Sequence, residues 1–374
     1  MKYYTIVFLI LTYCFTSCNN KKNASASLHT IAPNTYPFSS SKPFYSYLTG
    51  KLGAKSISMN MVYIASLNSF EASYQFDDEA DPHLLKGTIE SNHLVLKHFP
   101  KGSKKFDELF IGSFLEDKSF SGQWFNADSS MIEDFSLIEL NKASTSGIEM
   151  QCYDTSKTFT DILKNDYTID FHYTIPVSSE KNINHLIQQK IIQNDAFLQE
   201  ATTTKDLIIQ KATLRYATFL AELKELSLSN NDSCYDASLS VTRGMYPHII
   251  RNDKDYFILK LTEFTSHPTK YISIINYDKN LKKEITSMDL IKKYGKDNLL
   301  ATLNNQIKLI YNINEEDDFT SKTDEMFMVD KVEELPENFY LSNKGIIFLF
   351  NDNELKAYAA ETEYIFVPFE NLKN

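Results

Sequence analysis

The sequence predicts two domains in series: an N-terminal all-β antiparallel meander or barrel over residues 43–140, and an α+β domain over residues 165–374. Three observations carry this expectation. Six of the ten glycines fall between Gly50 and Gly122 and punctuate short runs of alternating apolar and polar residues, a period of two that belongs to strands with one buried face. The period then changes over residues 182–226, where Ile183, Ile187, Ile191, Leu207, Ile208 and Leu220 recur as on a helix face. Beyond them, strand-like runs and a further helical stretch follow up to Asn374. At 374 residues the chain is long enough for two cores, and 43% hydrophobic with 13% aromatic content suits a globular body.

The first elements precede both domains. Residues 1–17 carry Lys2, an apolar run over 6–11, and small or polar residues before Cys18. This is the layout of a cleaved secretory signal, too short to span a bilayer. Phe15-Thr16-Ser17-Cys18 resembles a lipobox, with Phe15 where leucine is usual, so Cys18 is the expected lipid attachment point. Cys14, followed by the bulky Phe15, is the poorer acceptor. Each buried acyl methylene contributes about 0.8 kcal/mol, so several chains, palmitate among them, anchor firmly where one does not. Residues 18–42 are rich in Asn, Ser, Ala, Lys and Pro, a composition that reads as a disordered tether. They begin Asn19-Asn20-Lys21-Lys22, without the acidic run of many surface-displayed lipoproteins of the Bacteroidetes type. The expected address is the cell envelope: lipid-anchored to the outer membrane and facing the periplasm.

In the first domain, strands are expected at 56–63, 69–76, 93–99, 108–114 and 119–125, among seven to nine in all. In the first of these, Ile57, Met59 and Met61 recur every second residue. Turns are expected at 77–82, 90–92 and 100–103. Trp124, the only tryptophan, reads as a core filler. Residues 141–164 read as a linker. The second domain is expected to hold a strand at 168–176 and two helices separated at Thr202-Thr203-Thr204. Strands at 234–243, 246–251, 256–264 and 269–277 follow, the first two split by a turn at Arg243-Gly244. A helical region opens near Asp289 and runs to Tyr311, and strands close the chain at 338–341, 346–350 and 363–368.

Composition bounds the chemistry. A net charge of −11 argues against nucleic acid, which is held by clustered Lys and Arg. No G-x-S-x-G, P-loop or G-x-G-x-x-G occurs, so no catalytic residue is assigned and no cofactor is expected. The eight histidines form no H-x-x-x-H, H-E-x-x-H or cysteine-histidine pair. Each is read as a surface or capping residue, with His93 and His98 on opposite faces of a strand, and no metal site is expected. Acidic runs at 77–81 and 315–318 lack the ligand pattern of a calcium loop. After processing, Cys152 and Cys234 remain, either as one disulfide or as two unpaired thiols.

The stretch from Asn338 to Phe350, then Leu355-Lys356-Ala357-Tyr358-Ala359-Ala360, then Phe366-Val367-Pro368-Phe369-Glu370-Asn371-Leu372 resembles the C-terminal signature of the RsiV-like domain. That family includes the lysozyme-sensing ectodomain of an anti-sigma factor and accessory regions of some peptidoglycan deacetylases. The meander, with Tyr47, Gly50, Gly112 and Gly122-Gln123-Trp124, resembles a module found beside such extracytoplasmic domains. The resemblance implies a binding or sensing module, more a binder than an enzyme, for a cell-wall glycan or a lysozyme-like protein. It implies binding roles for His267, which is retained where the family commonly has Gly-Gly-Ala-His, and for Tyr358. Phe264-Thr265 and Glu361 stand where the family commonly has glycines, so those turns must be built differently. A cell-wall-polymer hydrolase with unfamiliar catalytic residues and a structural envelope protein are the alternatives.

Overall fold

The computed structural model of the chain describes residues 31–38, 42–76, 82–100, 105–140, 147–160, 166–193, 198, 203–229, 240–265, 270–322, 325–351, 353–357 and 363–372. Eight strands follow one another as an antiparallel meander: β1 (Phe44–Leu52), β2 (Lys55–Ile64), β3 (Ser69–Phe76), β4 (His83–Glu90), β5 (His93–His98), β6 (Glu108–Phe114), β7 (Phe120–Asn126) and β8 (Ile132–Glu139). Pairing of β8 with β1 closes them into a barrel. The expected alternation is realised, with Ile57, Met59, Met61, Leu94, Leu96 and Phe110 packed in its core. Ser91 and Asn92, both at positive φ, make the two-residue β4–β5 turn.

One end of the barrel is plugged by the segment that precedes β1. Phe38 lies edge-on to Tyr63 and Phe70, each with a centroid separation of 5.3 Å, and its carbonyl accepts the Tyr63 hydroxyl at 2.9 Å. The Asn34 side chain accepts the Phe114 N–H at 2.7 Å.

The second domain is built on a six-stranded sheet. Its strands are β9 (Glu149–Thr160), β10 (Asp166–Val177), β11 (Ser240–Asn252), β12 (Tyr256–Thr265), β13 (Lys270–Asp278) and β14 (Lys283–Glu284), in spatial order 14-13-12-11-10-9. β10 and β11 pair in parallel, and the crossover that parallel pairing requires is supplied by α1 (Lys181–Gln193) and α2 (Thr204–Ser229). Thr203 caps α2: its hydroxyl accepts the Asp206 N–H at 3.1 Å and donates to the Asp206 carboxylate at 2.7 Å. One sheet face, with Ile169, Phe171 and Leu259, packs against Ile183, Ile187 and Ile191 of α1. Ile258, Ile272 and Ile274 on the other face meet Ile347 and Leu349 of a three-stranded sheet. That smaller sheet is formed by β15 (Phe339–Leu341), β16 (Gly345–Phe350) and β17 (Glu363–Pro368). It is backed by Leu299, Leu303 and Ile307 of α4 (Lys296–Tyr311), which follows α3 (Ser287–Tyr294).

Three expectations need correction. The linker expected over 141–164 contains β9, which pairs with β10 along its full length. Tyr153 and Phe159 of this edge strand lie opposite Tyr173 and Tyr167 and pack on the same face; their sparse spacing among Ser, Thr and charged residues concealed it. The turn expected at Arg243-Gly244 lies inside continuous β11, opposite His172 of β10. A Cβ at Gly244 would collide with the His172 carbonyl oxygen, so this glycine permits close strand approach and not a reversal. The helical region opening near Asp289 is two helices, because Gly295 at φ 79° ends α3 and begins α4. The expected start is kept: Thr286 and Asp289 form a capping box.

The two domains are packed together within one compact unit, Ile31–Asn374. The outer face of β2 and β3 lies against β11, which is why Asn60, Val62 and Ile64 are buried as well as the inward residues between them. A bulge at Ile250 shifts the β11 register. The freed carbonyls of Ile249 and Ile250 lie 3.0 and 2.8 Å from Ser73 Oγ, which donates to them. Among the described residues no helix is long and apolar enough to cross a membrane.

Candidate functional site

A cleft of about 1210 Å³ opens in the second domain between the start of β13, the segment 328–338 and the end of β16. Its floor includes Ile272, Val332 and Phe350, and exposed Tyr271 stands on its lip. Three asparagines set this geometry. Asn338 and Asn351 accept the backbone N–H groups of Ile274 and Ile272 at 3.1 and 3.0 Å. Asn276 donates to the Phe339 carbonyl at 2.7 Å and accepts the Leu341 N–H at 3.2 Å. Side chains thus stitch the small sheet to β13 where no ladder joins them, and Asn338 serves packing although it stands in a stretch that carries the family resemblance.

The cleft is acidic. Asp318, Asp330, Glu333, Glu334, Glu337 and Glu354 line it against Lys190 and Lys331, and all six acids are exposed. Glu334 meets Lys296 at 3.4 Å and Glu333 meets Lys331 at 3.6 Å; exposed pairs of this kind are weak and leave the field negative. Such a rim attracts cations and basic surfaces at a range limited by salt screening.

Of the residues singled out from sequence, Cys18, Cys234, His267 and Tyr358 lie outside the described residues. Cys152 is an exposed free thiol on edge strand β9. Burial, then the charge of Asp154, pushes its pKa up, which keeps it a poor nucleophile at neutral pH.

A second polar cluster, which the histidine spacing did not reveal, sits in the barrel. His83 begins β4, His98 ends β5 and Glu108 begins β6, each with inward-facing parity shared with Leu85, Leu96 and Phe110. His83 Nδ1 lies 2.8 Å from Glu108 Oε1, and His98 Nδ1 lies 2.6 Å from Asp107 Oδ1. Glu108 Oε2 accepts the Tyr74 hydroxyl, and it accepts the Trp124 indole N–H at 3.4 Å. Trp124 is therefore a half-buried wall of this cluster as well as a packing residue of the barrel core. Burial pushes the Glu108 carboxyl up, but the hydrogen bond and charge of His83, with the Tyr74 hydroxyl, outweigh it and hold the group below its ordinary range. The cluster lies at the opposite end of the barrel from the Phe38 plug, since Glu108 and the plug-contacting Phe114 are the two ends of β6.

Residues 264–370 match the model of a family described as protein of unknown function (DUF3298), so the chain carries a DUF3298 domain that begins at the end of β12 and includes the acidic cleft's main walls. Among solved structures, a DUF3298 family member from Bacteroides fragilis is similar at 18% identity and TM-score 0.44, over 61% of this chain and 92% of that one. A DUF3298 family protein from Pseudomonas aeruginosa is similar at 9% identity and TM-score 0.36, over 60% of this chain and 91% of that one. No curated protein matches the chain in sequence.

Proposed function

We propose that this protein is an envelope lipoprotein, held at the outer membrane through Cys18 and facing the periplasm, whose α+β domain binds its ligand without transforming it. The acidic cleft carries the reading: six exposed carboxylates surround an apolar floor with an aromatic lip. That combination suits a basic protein of the lysozyme kind better than a neutral glycan, because charge complementarity steers association while Tyr271 and the floor supply contact area. The RsiV-like pattern at 338–350, 355–360 and 366–372 supports the same class of partner.

Binding of the purified protein to lysozyme and to soluble peptidoglycan fragments tests the reading. We expect lysozyme binding that weakens with added salt. Glu333→Lys, Glu334→Lys and Glu337→Lys together should slow association by about tenfold or more. Absence of binding to either ligand sinks the proposal, and release of sugars or peptides from peptidoglycan moves the protein to the hydrolases. The address has its own test. Cys18→Ser should abolish lipid labelling and move the protein from the membrane to the soluble envelope fraction; unchanged fractionation and processing would exclude lipidation at Cys18.

A further inference from the structure

We propose that His83, His98 and Glu108 form a binding site for a divalent cation of the zinc class at the end of the barrel opposite the Phe38 plug. The observation is their convergence: one ligand atom from each lies within 4.8 Å of the other two. Around a tetrahedral zinc with bonds of roughly 2.0–2.1 Å, ligand atoms stand roughly 3.3 Å apart, so small side-chain rotations from the present positions suffice. Two imidazoles and one carboxylate with a fourth position open is a donor set that first-row divalent ions favour and calcium or magnesium does not.

The surroundings are those of a built site. The Asp107 contact occupies Nδ1 of His98, which orients the ring and leaves Nε2 as its nitrogen for a metal, as a carboxylate behind a metal-bound histidine does. The Tyr74 hydroxyl and the Trp124 indole converge on one oxygen of Glu108, leaving Oε1 to face His83. Strand register does the rest. His98 pairs with Leu85 on one side and Glu108 on the other, and His83 pairs with Tyr74, so three adjacent rigid strands hold the ligands. The three side chains are partly exposed, at 27%, 21% and 13%, so an ion can enter from solvent.

The test uses untagged full-length protein stripped with chelator and titrated with Co²⁺ and Zn²⁺. We expect one equivalent of Co²⁺ to develop the visible absorption of a four- or five-coordinate ion, and Zn²⁺ to displace it and raise Tm. His83→Ala and His98→Ala should each lose the Co²⁺ signal and the Zn²⁺-dependent rise in Tm, while His93→Ala and His172→Ala keep both. Asp107→Asn, which retains all three ligands, should weaken Zn²⁺ binding by about 10–100-fold and so separates a lost ligand from a lost fold. No stoichiometric binding by the unmodified protein overturns the proposal. So does Zn²⁺ affinity unchanged in folded His83→Ala and His98→Ala proteins, which would mean that the cluster is only a hydrogen-bonded cap on the barrel.

Discussion

Replacing Glu71 with alanine is expected to lower the unfolding free energy by about 3–5 kcal/mol, because it breaks a buried charge network from one side. Glu71 projects outward from β3, opposite Lys86 of β4, and is buried where β11 covers the barrel. His248 Nδ1 of β11 lies 2.9 Å from its Oε2. Burial pushes the Glu71 carboxyl up, but the hydrogen bond and charge of His248, with Lys260 and Lys86, outweigh it and hold the group below its ordinary value of 4.5. Lys260, itself buried on β12, is opposed by burial and supported by Tyr364, Glu71 and Tyr246, which leave its pKa raised. Without Glu71, that buried ammonium loses its countercharge. Urea unfolding at pH 7 measures the loss. A Glu71→Leu, Lys260→Leu double variant should recover much of it, since removing both charges removes the desolvation cost as well.

The same network predicts the pH profile. Burial, with Lys260 and Lys86, pushes His248 below its ordinary value of 6.5 against the pull of Glu71, so the folded protein keeps it neutral. The unfolded chain takes up that proton as pH falls through 6.5, and stability therefore declines below 6.5. Glu71 adds a second decline below 4.5, where the unfolded carboxyl protonates before the folded one. His248→Gln should flatten the upper decline in a plot of Tm against pH and leave the lower one; a wild-type Tm that stays level from pH 7 to 5 would contradict the assignment.

Phe114→Ala is expected to cost about 3–5 kcal/mol, the range for deleting a buried aromatic ring. Phe114 is fully buried at the plugged end of the barrel. Its ring stacks on Phe44 at 5.6 Å and meets Tyr36 edge-on at 5.4 Å, with Phe38 at 5.7 Å and Phe120 at 6.2 Å. Each well-placed aromatic pair contributes about 0.5–1.5 kcal/mol beyond area burial, and the cavity left by alanine touches all four rings. The loss should also release the segment carrying Tyr36 and Phe38, visible as faster amide exchange over residues 34–38 and as a Tm several degrees lower. Phe114→Leu, which keeps most of the volume, should retain the protection.

Much of the architecture is written locally. Alternation at Ile57, Met59 and Met61, turn residues at Ser91-Asn92, helical spacing at Ile183, Ile187 and Ile191, and the Thr286–Asp289 capping box each lie within a few residues of the structure they specify. Where the local signal was thin or had two meanings, it misled. β9 has too few large apolar residues to announce itself, and Gly244 serves a close approach to His172 as readily as a turn.

The sites obey a different rule. His83, His98 and Glu108 stand on three strands and meet only because hairpin registers bring them to one end of one barrel. Glu71 and His248 come from separate domains and meet because a bulged β11 docks on β3. Most of the alternating, coiling and reversing stretches could be read from residue order, since those choices depend on side-chain period and nearest neighbours. Barrel closure, the parallel β10–β11 pair, the acidic cleft and both polar clusters were decided by tertiary structure alone, because each depends on register accumulated across several strands and on burial that only the packed domains create.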